Sequence, residues 1–146
     1  MKTKLLEMAL SQYGIKEIVG QYHNNEVVKY FTEIGFAQIT NDETAWCSAF
    51  VNWVCMKAGY EHTKKLNARS WLTIGKETIH PEPGDIVIMS RGTNPSLGHV
   101  GFFINKDQKY IYILGGNQSN QVNITAYNKA SLLGYRVLSS LSNNHL

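Results

Sequence analysis

The chain has no apolar run approaching the roughly 20 residues that a helix needs to cross a bilayer, so no membrane-spanning role is expected. Cysteine is scarce, with only Cys47 and Cys55. If both lie on one helix, about 12 Å of rise separates them, whereas a disulfide needs Cα atoms within about 7 Å. Neither belongs to a Cys-x-x-Cys or His-x-x-x-His cluster, so no structural zinc, and no other metal or cofactor, is expected. Two unpaired thiols suit synthesis in a reducing compartment. There is no dense basic cluster either. The longest basic run is Lys64-Lys65 with Arg69 nearby, which reads as solvated charge, so no nucleic-acid partner is expected. A net charge of +3 favours encounter with anionic polymers only weakly. A secretory leader is not expected either. Lys2 and Lys4 open the chain as in a signal peptide, but Glu7 and Gln12 interrupt the apolar stretch and no small-residue cleavage site follows. Synthesis in the cytoplasm is therefore expected, with any target outside the cell reached by lysis or delivery.

The 146 residues fit one domain, and a hydrophobic fraction of 43% supports an ordinary core. We read residues 1–138 as that domain and 139–146 as a polar, frayed tail. The first half has helical spacing. Leu5, Leu6, Met8, Ala9 and Leu10 precede a break at Gly14, and Val27, Val28, Tyr30, Phe31 and Ile34 precede Gly35. A third helix is capped by Asp42 or Thr44, carries Ala49, Phe50, Trp53, Val54 and Met56, and closes at Gly59. A short fourth helix is expected over 68–72. After the turn at 81–85, strands are expected at 86–89, 99–104, 110–114, 122–126 and 135–138, with short connections that favour antiparallel neighbours. Helices first and strands second predict an α+β domain with an antiparallel sheet of about five strands.

Two positions carry chemistry. Cys47 falls in the first turn of the third helix, where orphan N–H groups and the helix dipole favour a thiolate. His99 opens a strand, with Gly98 and Gly101 allowing close approach of another group. A histidine opposite the thiol can take its proton and return it to a leaving group. The pair predicts a cysteine hydrolase. A third group must orient the imidazole, and the next strand ends in Gly115-Gly116-Asn117-Gln118-Ser119-Asn120. Asn117 is the candidate orienter. Cys55, in the apolar helix interior, is assigned no chemistry.

The motifs Trp46-Cys47-Ser48-Ala49-Phe50-Val51, Pro83-Gly84-Asp85-Ile86-Val87 and Gly98-His99-Val100-Gly101 resemble the NlpC/P60 and CHAP peptidoglycan hydrolases of the papain-like superfamily. Leu114-Gly115-Gly116-Asn117-Gln118-Ser119-Asn120, with Tyr135-Arg136, is similar to a small phage-associated branch of that group. The likeness covers most of residues 12–138. It implies cleavage of amide bonds in peptidoglycan peptides, with Cys47 as nucleophile, His99 as base and Asn117 as orienter. Where NlpC/P60 members usually place a histidine and many CHAP members an acid, this chain has Gly115 and Gly116, and Gln118 is the next choice for the third group. The backbone of Cys47, with the Ser48 amide or hydroxyl, would hold the oxyanion. Trp46, Tyr22 and Gln118 are candidate substrate contacts, and no metal is needed. The expected partner is peptidoglycan peptide, met by a monomer acting as a lysin or as a delivered antibacterial effector, the latter implying an immunity or delivery protein. Rival readings are a non-catalytic peptidoglycan-binding module on the same fold and an intracellular thiol amidase.

Overall fold

The structure, a computed structural model, describes residues 2–16, 25–36 and 46–141. Three α-helices come first: α1 (Thr3–Leu10), α2 (Asn25–Thr32) and α3 (Trp46–Ala58). The expected fourth helix is a 3-10 segment, Ala68–Thr73. Six strands follow: β1 (Lys76–Thr78), β2 (Ile86–Ser90), β3 (Gly98–Lys106), β4 (Tyr110–Gln118), β5 (Gln121–Asn128) and β6 (Leu132–Val137). They form one antiparallel sheet in the order β1-β6-β2-β3-β4-β5. The α+β class is as expected, with six strands rather than five. The added strand, β1, has three residues, too few to show alternation, and is defined by its pairing with Tyr135, Arg136 and Val137.

Helix α3 is the centre of the molecule. Every residue from Trp46 to Cys55 is buried. A helix that is apolar around most of its circumference must be covered on most sides. Here β3 and β4 cover one side, and α1 and α2 pack on others. Phe50 meets Phe102 of β3 edge-on at 6.4 Å and Tyr30 of α2 at 5.1 Å. Each such fully buried aromatic stabilises the fold by on the order of 2–3 kcal/mol. Gly59 ends the helix in the left-handed region (φ 78°), which a side chain would strain.

The other face of the sheet holds a smaller cluster of Val87, Met89, Phe103, Ile111, Ile113 and Tyr135. The sheet curls on this side. His99 of β3 and Tyr127 of β5 are separated by β4, yet their rings stack at 5.1 Å.

Residues 139–141 of the expected tail pack back on the end of α3. Tyr60 and Ser140 form a bridge, the Glu61 N–H donates to the Ser139 carbonyl, and the Leu141 N–H donates to the Gly59 carbonyl. Residues 142–146 lie outside the described residues, as do the expected helix caps Asp42 and Thr44.

One irregularity positions the site. Strands β3 and β4 pair from Phe102↔Leu114 to Lys106↔Ile111. Among the described residues no rung joins 98–101 to 115–118, and β4 bulges against β5 between Gly115 and Gln118. The two strands therefore part at this end. The main-chain groups of Phe103 face β2, bonding to Gly84 and Asp85. By alternation the N–H of Val100 faces the gap.

Candidate active site

Cys47 is the second residue of α3. The backbone N–H of Val100, left over where β3 and β4 part, lies toward its sulfur, as do the N–H groups of Ser48 and of Cys47 itself. The thiol is therefore ringed by helix-start and strand donors that favour its anion. Burial outweighs them. Cys47 is 1% exposed, and desolvation pushes the thiol pKa up in spite of the donors and the nearby positive charge of Arg91. The thiolate expected from the helix start is thus not the resting form.

His99 stands on β3 beside Val100 and is 2% exposed. Burial lowers the imidazole to about 4, the hydrogen bond to Gln118 works against that, and the charge of Arg91 adds to it. The resting pair is a neutral thiol and a neutral imidazole. The Nε2 atom lies 2.9 Å from Oε1 of Gln118. Gln118 Nε2 is spent as a donor to the carbonyls of Ile113 (3.1 Å) and Asn123 (2.7 Å) and to the side-chain oxygen of Asn123 (2.9 Å). That fixes the amide with its oxygen toward the ring. An oxygen can only accept, so Nε2 of His99 carries the proton and Nδ1 offers its lone pair. Nδ1 is buried with no hydrogen-bond partner. A bare, buried acceptor is costly unless it has a task.

The expected orienter was Asn117, and the structure gives the contact to Gln118. The bulge after Gly115 shifts the register, and Asn117 takes a left-handed turn conformation (φ 57°). Gly115 makes room: a Cβ there would lie 2.8 Å from Gln118 Oε1 and 3.4 Å from His99 Nε2. Gln118, 3% exposed, serves the histidine rather than a substrate groove.

Two other expected substrate contacts are core residues. Trp46 is 1% exposed, stacks on Tyr30 at 6.2 Å and abuts Gly116. Ser48 is fully buried. Its hydroxyl donates to the Lys65 carbonyl (2.7 Å) and accepts from Trp71 Nε1 (2.9 Å), so it is not free to meet an oxyanion. The Ser48 amide keeps that option. Tyr22 lies outside the described residues. Cys55 is a buried free thiol, held protonated by burial.

Two residues were not foreseen. Tyr127 is the plate against the His99 ring, with the planes 25° apart, and burial together with the neighbouring Cys47 keeps its phenol protonated. Arg91, just after β2, acts electrostatically on Cys47, His99 and Tyr127. Neither carries a sequence signal: one sits in an ordinary edge-strand alternation and the other in a loop. Among the described residues no cluster of three or more His, Cys, Asp or Glu side chains could hold a metal. No helix among them is long and apolar enough to cross a membrane.

A thiol in the first turn of a central helix, its sulfur toward the Val100 N–H, an imidazole on the adjoining strand residue His99 and an amide that fixes that imidazole, over a curled antiparallel sheet, define the papain-like class. Residues 39–117 match the family model of the CHAP domain, and the chain belongs to that family. Its fold is that of the CHAP and NlpC/P60 peptidoglycan hydrolases. One similar solved structure is an NLP/P60-family, lipoprotein-like protein of Staphylococcus aureus subsp. aureus Mu50 (16% identity, TM-score 0.53). The match covers 92% of this chain but only 40% of that one. Another is RipD of Mycobacterium tuberculosis, a non-catalytic NlpC/p60 domain protein adapted to peptidoglycan binding (14% identity, TM-score 0.53, 96% of each chain). At these identities the likeness is one of fold. A comparison with curated proteins finds no match.

Proposed function

We propose that this chain, with residues 1–138 as a single catalytic unit, is a cysteine hydrolase that cuts amide bonds in peptidoglycan peptides. The observation that carries this reading is the bare Nδ1 of His99, with its tautomer fixed by Gln118, on the strand whose Val100 N–H faces the Cys47 sulfur. In the first step the Cys47 proton passes to Nδ1 while sulfur attacks the carbonyl carbon. The oxyanion is met by the backbone N–H groups of Cys47 and Ser48. The imidazolium returns its proton to the amine nitrogen, the C–N bond breaks and a thioester remains. Water then gives a proton to His99 and attacks the thioester, the C–S bond breaks, and the proton returns to sulfur. Neutral resting partners suit this order: the pair separates charge only when substrate arrives.

The test is digestion of purified peptidoglycan with mass analysis of the products, wild type against Cys47→Ala. Release of new amine and carboxyl ends by wild type alone supports the reading, and the masses name the bond, either muramoyl–L-alanine or one within the peptides. Full activity in Cys47→Ala overturns it. The burial of both Cys47 and His99 favours a second reading, a module that binds peptidoglycan without cutting it. Sedimentation with peptidoglycan and no products would support that module. For the setting we propose a lysin or a delivered effector, made in the cytoplasm and acting on the wall as a monomer.

A further inference from the structure

We propose that Arg91 recognises a carboxylate of the substrate close to the bond that is cut. This deepens the hydrolase reading above and rests on it. Three observations on the residues around the gap lead there.

First, Arg91 follows Ser90 at the end of β2, where Met89 pairs with His99 and Ser90 with Gly98. Alternate residues share a face of a strand, so the chain carries Arg91 out on the face of Met89 and His99. The groups on which its charge acts belong to three separate elements: Cys47 on α3, His99 on β3 and Tyr127 on β5. Its charge is felt on three elements, in keeping with a place on the side of the sheet where they converge.

Second, its loop is braced. Arg69 Nε donates to the Leu97 carbonyl (2.7 Å) and its Nη2 to the Asn94 carbonyl (3.4 Å). Ser96 caps the Asn94 side chain through both its N–H and its hydroxyl. One arginine is used to hold the loop, and the other is presented by it.

Third, Arg91 is half-buried, and among the described residues it makes no hydrogen bond or ion pair. Partial burial of a guanidinium is unfavourable unless it is matched, and no described residue matches this one. An arriving carboxylate would relieve it with paired, charge-assisted hydrogen bonds. Peptidoglycan stem peptides carry free carboxylates beside their amide bonds, so the occupant is an anionic peptide rather than a neutral one.

The experiment has two arms. In the first, wild type and Arg91→Gln are given a stem peptide with free carboxylates and the same peptide with those groups amidated. The ratio of kcat/KM for the free over the amidated peptide should fall by about tenfold or more in Arg91→Gln, as expected for a lost charge-assisted hydrogen bond. Arg91→Lys should recover part of it, as a point charge without the planar fork. A ratio unchanged in Arg91→Gln overturns the proposal.

The second arm needs no hydrolysis and reads the anion preference beside Cys47 directly. Cys47 is alkylated with anionic iodoacetate and with neutral iodoacetamide, the modified residue being located by peptide mapping. The iodoacetate to iodoacetamide rate ratio should drop in Arg91→Gln, and an unchanged ratio overturns the proposal. Cys47→Ala tests the nucleophile and Arg91→Gln tests selectivity, so the two failures are distinguishable.

Discussion

The side-chain oxygen of Gln118 lies 2.9 Å from Nε2 of His99, while the amide nitrogen of the same residue is anchored to Ile113 and Asn123. One side chain thus decides which imidazole nitrogen is bare. We predict that Gln118→Ala lowers kcat/KM on peptidoglycan by roughly 10²-fold, the scale of a disturbed general base. Asn117→Gly, which keeps the left-handed turn, should cost far less. Equal losses in the two variants would return the orienting role to Asn117.

Gly115→Ala should inactivate without unfolding. A Cβ there meets Gln118 Oε1 at 2.8 Å and would push the amide off the ring. The loss is expected in kcat rather than KM, with the fold retained but a lowered thermal midpoint, because the displaced amide also gives up its join to β3. Gly116→Ala is different: its Cβ would meet Trp46 at 2.8 Å and the Phe50 Cβ at 2.9 Å. Overpacking of this kind costs about 1–3 kcal/mol, to be read from denaturant unfolding.

Ser48→Ala should damage stability and leave the chemistry. It leaves the indole N–H of Trp71 without its buried acceptor, and the Lys65 carbonyl loses a donor. A loss of about 1–3 kcal/mol is expected for such an unsatisfied group. A KM change with wild-type stability would instead place the hydroxyl at the substrate.

Thiol labelling should follow burial. Burial raises both pKa values, so iodoacetamide modification of Cys47 is expected to be slow at neutral pH and still rising above pH 9, with Cys55 slower again. A rate for Cys47 that levels off below pH 7 would reveal a resting thiolate–imidazolium pair and contradict the neutral site.

Acid should destabilise the fold through His99. Its folded pKa is lowered from 6.5 to about 4 by burial. Below pH 6.5 the unfolded chain takes up a proton that the folded chain refuses. Stability is therefore full above 6.5 and is lost as pH falls toward 4, by about 2 kcal/mol at pH 5. Guanidinium melts at pH 7.5 and 5 should show this difference, and His99→Gln should remove most of it. The same slope in wild type and variant would assign it to other groups.

The sequence made the scaffold legible wherever a pattern repeats. The helical spacing around Ala49, Phe50 and Trp53, and Gly59 as the stop signal, located α3 to within a few residues. The alternating strands located β2 to β6. Failures came where a single residue decides. Strand reading ranks Asn117 ahead of Gln118 as the neighbour of His99, and the contact falls to Gln118 because a bulge after Gly115 breaks the two-residue period that such reading assumes. The thiolate was overestimated at Cys47 because a helix start is visible in sequence and the desolvation around it is not. Trp46 and Ser48 flank the nucleophile in sequence, but the rotation of about 100° per residue swings them to other sides of α3, in the core. Tyr127 reaches His99 only through the curl of the sheet, which no local pattern encodes.

The parting of β3 and β4 has an architectural consequence. Past the Phe102–Leu114 rung, no ladder hydrogen bonds stitch the two strands, and the Gln118 amide does the joining instead. The tool that aims the imidazole is also the clasp of the split seam. Damage to that clasp would loosen the masonry and blunt the chemistry together, so at this corner catalysis and architecture are written in the same few atoms.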